Sequence, residues 1–195
     1  MTRVGVLALQ GDVREHLDTL AAIGCNALPV RTLDEISSLD GLVIPGGEST
    51  VISKLAKTFG VFDFISDRIA AGMPTFGTCA GLIMLASEIL DSASGQASFG
   101  GLDVSVRRNA FGHQVDSFET DLTFAGVDGL VHAAFIRAPI VERIGERVEV
   151  LARLPDGRVV GVRQGNVVGI SFHPEITGEK RIHEYFLRIV EASVV

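Results

Sequence analysis

The sequence is short of several things, and each shortage narrows the field. Two cysteines in 195 residues, Cys25 and Cys79, exclude a disulfide framework. Seventeen Lys and Arg against 24 Asp and Glu leave a net charge of −7, which argues against nucleic acid or an anionic membrane as a partner. No apolar run approaches the ~20 residues of a membrane span. No charged and then apolar leader precedes the first strand-like segment. Repeats, low-complexity tracts and long linkers are missing too. What is present, 47% hydrophobic and 21% charged residues, is an ordinary globular balance, enough for a good core without staples. The expectation is one domain over residues 1–195, in a reducing cytoplasm.

The first half alternates strand and helix signals. Val4 to Leu9 is a continuous apolar run, as in a strand buried on both faces of a parallel sheet. Asp12 is placed to cap a helix with Val13, Leu17, Leu20 and Ala21 inward. Ala27 to Val30 and Gly41 to Ile44 read as strands. Helical stretches follow at Thr50 to Thr58 and Phe62 to Ala71. This alternation predicts an α/β fold with a doubly wound, mostly parallel sheet. After Leu90 the pattern changes. Asp91 to Gly101 reads as a loop, and six short β-like segments follow: Leu102 to Arg107, Ser117 to Leu122, Ala133 to Arg137, Val148 to Leu154, Arg158 to Arg163 and Val167 to Phe172. Pro155-Asp-Gly157 and Gly165-Asn166 are hairpin signals, so the second half is expected as an antiparallel meander. Lys180 to Val190 closes the chain as an amphipathic helix.

The chemistry centres on Pro74 to Leu85, which reads as strand, sharp turn at Cys79, then helix from Ala80. Gly77 and Gly81 flank the cysteine at −2 and +2, the pattern of a nucleophile elbow. Strained torsions and close chain crossing leave no room for side chains there. The first amides of the following helix, and its dipole, would face the thiol and an oxyanion. The plainer alternative is a small buried cysteine in a glycine-rich turn.

A nucleophilic cysteine needs a base and something to orient it. Of five histidines, His16 and His132 lie in no polar cluster, and His183 falls on the wet side of the last helix. His113 sits in a Gly-flanked loop. His173 ends an apolar strand and is followed by Pro174 and Glu175. Pro174 is expected to hold the chain extended, so that His173 and Glu175 share a face. A turn into a helix, with both residues on the surface, is the alternative. Pro45-Gly-Gly-Glu-Ser49 ends the third strand at the sheet edge where α/β folds place ligands, and one of its amides could pair with Ala80 in an oxyanion hole. It lacks the Lys and spacing of a P-loop, and Ser49 is a candidate helix cap. The two cysteines lack ligand spacing with histidine, so no metal is expected.

Together, Gly77-Thr-Cys-Ala-Gly81 and His173-Pro-Glu175 resemble the Cys-His-Glu triad of class I glutamine amidotransferases, whose domain is flavodoxin-like. Many members carry Gln two residues after the second elbow glycine, where this chain has Ile83. Leu9-Gln-Gly11 with Glu15-His16, Pro45 to Thr50, Arg108 to Gly112 with Gln114 to Glu119, and Phe135 to Pro139 narrow the match. They resemble the glutaminase subunit family of pyridoxal 5′-phosphate synthases. The resemblance implies Cys79 as nucleophile, with His173 and Glu175 as its partners. It implies glutamine binding by Gly47, Glu48, Ser49, Arg108, Ile136 and Arg137, an oxyanion hole from Gly47 and Ala80, and no cofactor. The implied partner is a synthase subunit that takes the ammonia and switches the glutaminase on by docking; Gln10 is a plausible contact. The family usually has Arg where this chain has His113. An amidotransferase serving another partner, a free-standing γ-glutamyl hydrolase and a non-enzymatic scaffold are the alternatives.

Overall fold

Val4–Leu7 is buried throughout and opens the fold as β1. The structure, a computed structural model, describes residues 2–108 and 117–194. From β1 the chain alternates through α1 (Val13–Ala22), β2 (Leu28–Val30), α2 (Leu33–Ser37), β3 (Gly41–Ile44), α3 (Ser49–Thr58), α4 (Phe62–Ala70), β4 (Thr75–Thr78), α5 (Ala80–Leu85) and β5 (Ala86–Leu90). The second half runs β6 (Leu102–Arg107), β7 (Ser117–Thr123), β8 (Leu130–Ile136), β9 (Ile140–Ile144), β10 (Glu149–Arg153), β11 (Val159–Gln164) and β12 (Val167–Ile170), then α6 (Pro174–Thr177) and α7 (Arg181–Ser193).

The main sheet has the order β2-β1-β3-β4-β12-β11-β9-β6-β5, with β10 on β11. Its first five strands are parallel, and antiparallel pairing begins where β11 meets β12. The expected α/β sheet with an antiparallel extension is therefore present. A continuous meander is not. β7 and β8 leave the main sheet as a separate hairpin, and β12 inserts beside β4 in parallel register, Gly169 opposite Gly77 and Ile170 opposite Thr78. That insertion sets the end of β12 next to the end of β4.

Each face of the sheet buries an apolar layer. One holds Ile36, Ile52, Ala56, Ile65 and Ile69 from α2, α3 and α4, packed with the wholly buried α5. The other holds Leu20 of α1, Ile182, Phe186 and Val190 of α7, and Leu122 and Phe135 of the hairpin. Burial on both faces is why β1, β3 and β12 are uninterrupted apolar runs without alternation.

Besides the short helix α6, three short elements escape the sequence reading. α2 carries a capping box in which Thr32 and Glu35 satisfy each other's backbone N–H. β5 follows α5 without a turn residue, and β9 pairs β6 through the charged run Glu142-Arg143. No helix among the described residues is long and apolar enough to cross a membrane.

Candidate active site

The elbow is built as its glycines require. Cys79 has φ +48° and ψ −102°, a torsion pair that side-chain-bearing residues rarely adopt. A Cβ on Gly77 would lie 2.5 Å from the Gly81 carbonyl carbon, and one on Gly81 would lie 2.2 Å from the Ile44 oxygen. The backbone at Cys79 is pinned by its N–H to Ile170 O at 2.8 Å, across to β12. The thiol points at Ile136 O, 3.9 Å away on β8. α5 has only six residues, so it offers individual free N–H groups such as that of Ala80 rather than the field of a long helix.

Because β4 and β12 are neighbours, the chain leaving β12 brings His173 to the same sheet edge. Its N–H donates to Ala134 O on β8. Contrary to the expected extended segment, Pro174 is the first residue of α6, where its fixed φ and missing N–H are well tolerated. The first turn of that helix still returns Glu175 to the ring, with Oε1 2.7 Å from His173 Nδ1. Both residues are buried, not superficial. Nδ1 is thereby committed, which leaves Nε2 to the sulfur. Burial pulls the imidazole pKa down, but hydrogen bonds to Cys79 and Glu175 outweigh it and hold the ring near 10. Burial raises Glu175 above the usual carboxylate range, and the bond from His173 offsets this only in part.

Asp12 was expected to cap α1. It precedes the helix but makes no side-chain cap bond. Its Oδ2 lies 3.5 Å from His173 Nδ1 instead, and burial raises its pKa. Asp12, His173 and Glu175 bring ligand-type atoms within 4.8 Å of one another. With Nδ1 already bonded to Glu175, we read the group as an acidic cradle for the ring.

A cleft of about 280 Å³ opens over the sulfur, at the small end for ligand cavities. Gln10, Gly47, Glu48, Ser49, Arg108, Ile136 and Arg137 line it with Cys79 and His173, and Ile83 and Ile176 add apolar walls. Arg108 donates to Glu48 Oε1 at 3.0 Å and to Gln96 Oε1 at 3.1 Å. Gln96 in turn donates to Ser49 Oγ at 2.9 Å. Ser49 is therefore not the α3 cap; Glu48 is, accepting from Thr50 N–H. Gln10 accepts from the Glu48 N–H at 2.7 Å and so belongs to the cleft wall. Gly47 has φ +155°, and a Cβ there would meet Gln10 Oε1 at 2.4 Å. Arg137, with φ +44°, turns the chain at the rim.

The structure brings Cys79, His173, Glu175, Ala80 and all the expected cleft residues to one edge. His113 lies outside the described residues. Sequence reasoning missed Asp12, Gln96, His16 and His183. Gln96 sits in a Ser- and Gly-rich loop and carries no local signal. His183 is not on a wet face but fully buried, and so is His16, which has polar partners after all. His132 is exposed between Asp121 and Glu119, at 2.8 and 3.0 Å.

Residues 6–192 match the model of the SNO glutamine amidotransferase family. A protein of Leifsonia xyli subsp. xyli named pyridoxal 5′-phosphate synthase subunit PdxT is 61% identical over 193 residues, covering 98% of each chain. One of the same name from Acidothermus cellulolyticus is 56% identical, covering 98% of this chain and 95% of that one. A crystal structure described as a glutamine amidotransferase superposes with a TM-score of 0.91 at 51% identity, covering 96% of this chain and 98% of that one.

Proposed function

The chain belongs to the SNO glutamine amidotransferase family, and on that premise we propose that Cys79, His173 and Glu175 carry out its chemistry. The protein is the glutaminase subunit of a pyridoxal 5′-phosphate synthase, releasing ammonia from glutamine for its synthase partner. The observation that carries the residue assignment is the imidazole held by a buried carboxylate at 2.7 Å in the same cleft as the elbow sulfur.

With its pKa held near 10, His173 already carries the Cys79 proton as an imidazolium, and the sulfur attacks the side-chain carboxamide carbon of glutamine as a thiolate. The oxygen becomes an oxyanion against the N–H groups of Gly47 and Ala80. His173 returns the proton to the amide nitrogen, the C–N bond breaks and ammonia leaves. A γ-glutamyl thioester remains. Water then gives a proton to His173 and attacks the thioester, and the sulfur departs as glutamate forms. Glu175 holds the ring in the tautomer whose Nε2 faces the sulfur and balances its charge. No cofactor enters these steps. The 195 residues act as one glutaminase domain in the cytoplasm.

In the cleft, Arg108 offers its guanidinium to the α-carboxylate of glutamine, and Glu48 and Ser49 face the ammonium side. Gly47, Ile136 and Arg137 close the pocket around the substrate. Arg108→Ala is expected to raise KM for glutamine about 30-fold, the weight of a charge-assisted hydrogen bond of about 2 kcal/mol, with kcat little changed. Steady-state glutamate release measures both. The reading as a whole is tested by mixing the chain with its synthase partner and glutamine. Glutamate release, together with covalent capture of Cys79 by a glutamine-analogue electrophile, is the expected result. Absence of both in the assembled complex refutes it.

A further inference from the structure

Two buried imidazoles have no part in the reaction just described. His16 of α1 and His183 of α7 are both fully buried, and His16 Nδ1 lies 2.9 Å from His183 Nε2. His16 Nε2 lies 3.1 Å from Thr78 Oγ1, in the residue before the nucleophile, and 3.6 Å from Glu175 Oε1. Phe76 packs edge-on against both rings, and such apolar walls leave a polar ring few ways to be satisfied.

Burial drives His183 down to about 3. Burial first, then His183 and His173, drives His16 well below its ordinary value. Each ring is therefore neutral and carries one N–H. His183 Nδ1 has no hydrogen-bond partner among the described residues. An orphaned buried N–H is the arrangement proteins avoid most, so the proton of His183 belongs on Nε2, donating to His16 Nδ1. His16 then carries its own proton on Nε2. The tautomers follow from the hydrogen-bond network, and they aim the His16 N–H at Thr78 and Glu175 together.

Glu175 needs such a donor. Its side chain is wholly enclosed, Oε1 is shared with His173, and Oε2 has no partner among the described residues. The groups that face it are His173 at the start of α6, His16 of α1 and Asp12 just before α1, with Thr78 of β4 and His183 of α7 bonded to His16 behind. Asp12 opposes the carboxylate charge; the His16 N–H supports it across 3.6 Å, an electrostatic contact rather than a full hydrogen bond.

We infer that His16, braced by His183, is a positioning residue of the glutaminase reaction: it ties Thr78, beside the nucleophile, to Glu175 and holds that carboxylate as an anion facing His173. The inference rests on the proposed roles of Cys79, His173 and Glu175. Without the donor, Glu175 takes a proton more readily, and a protonated Glu175 no longer supports the imidazolium. Activity is then lost at a higher pH than in the wild type.

The test compares His16→Leu with His16→Gln in complex with the synthase partner. His16→Leu is expected to lower kcat about three- to tenfold, to leave KM for glutamine within about twofold, and to move the acid limb of kcat/KM upward. His16→Gln returns an N–H to the site and is expected to recover most of the rate and the limb. An unchanged pH profile in folded His16→Leu overturns the inference, as does a loss that His16→Gln leaves uncorrected. The pH dependence of Cys79 alkylation by iodoacetamide, followed by peptide mass spectrometry on the full chain alone, reads the same limb without turnover. A wild-type chain that releases no glutamate therefore removes the functional reading, while the alkylation limb still decides the role of His16.

Discussion

In the assembled synthase, Cys79→Ala is expected to cut glutamate release by about 10⁴-fold or more, since removing a covalent nucleophile deletes the pathway and not one contact. The sulfur contributes no hydrogen bond that the fold needs; its partner is Ile136 O at 3.9 Å. Alanine also relieves none of the φ +48° strain, which is held by the strand before it and the helix after it. The variant should keep its thermal midpoint and still bind the partner. Glutamine-dependent formation of pyridoxal 5′-phosphate then disappears, while synthesis fed with an ammonium salt continues at the wild-type rate. Retention of glutamine-dependent turnover would exclude Cys79 as the nucleophile. Loss of the ammonium-fed reaction as well would place the defect in assembly.

Gly81→Ala should have a large effect on the fold itself. Gly81 has an ordinary helical place in α5, so torsion is not the issue. The added methyl would stand 2.2 Å from Ile44 O and 3.1 Å from Ile44 C, and both obstacles are backbone of a central strand. Overpacking of a core costs about 1–3 kcal/mol when side chains can yield; here the sheet must move, so the upper end is the expectation. About 3 kcal/mol corresponds to roughly 6–12 °C in thermal midpoint for a chain of this size, read by calorimetry or circular dichroism. Activity in the folded fraction should fall as well, because α5 cannot retreat without displacing the Ala80 N–H. An unchanged midpoint would mean that the crossing at ±2 is looser than the structure has it.

These two variants touch what was most legible in the sequence, and the reason is locality. The glycine frame at 77 and 81 is a steric requirement written within five residues. The partnership of His173 and Glu175 is likewise set within one turn, although the turn is helical where an extended segment was expected. The fold class was readable because the central strands are buried on both faces and show unbroken apolar runs. What stayed hidden depends on partners distant in the chain. β9 looks like a charged connection until β6 is laid beside it. His16 and His183 look like polar interruptions of amphipathic helices, since nothing near either one foretells the other. Gln96 has meaning only once Arg108 and Ser49 converge on it. Arg108 and Arg137 were reached through family resemblance, not by spacing.

The register of β12 against β4 has a consequence for how the protein is made. β4, which leads to Cys79, leaves the ribosome before β5 to β11, and β12, which leads to His173, only after them. Until β12 docks, the edge of β4 is an open template for stray pairing, and the sulfur has no imidazole to take its proton. A nascent or prematurely terminated chain is therefore unable to split glutamine. On the proposed roles of Cys79 and His173, ammonia production is expected to begin only once β12 has docked beside β4.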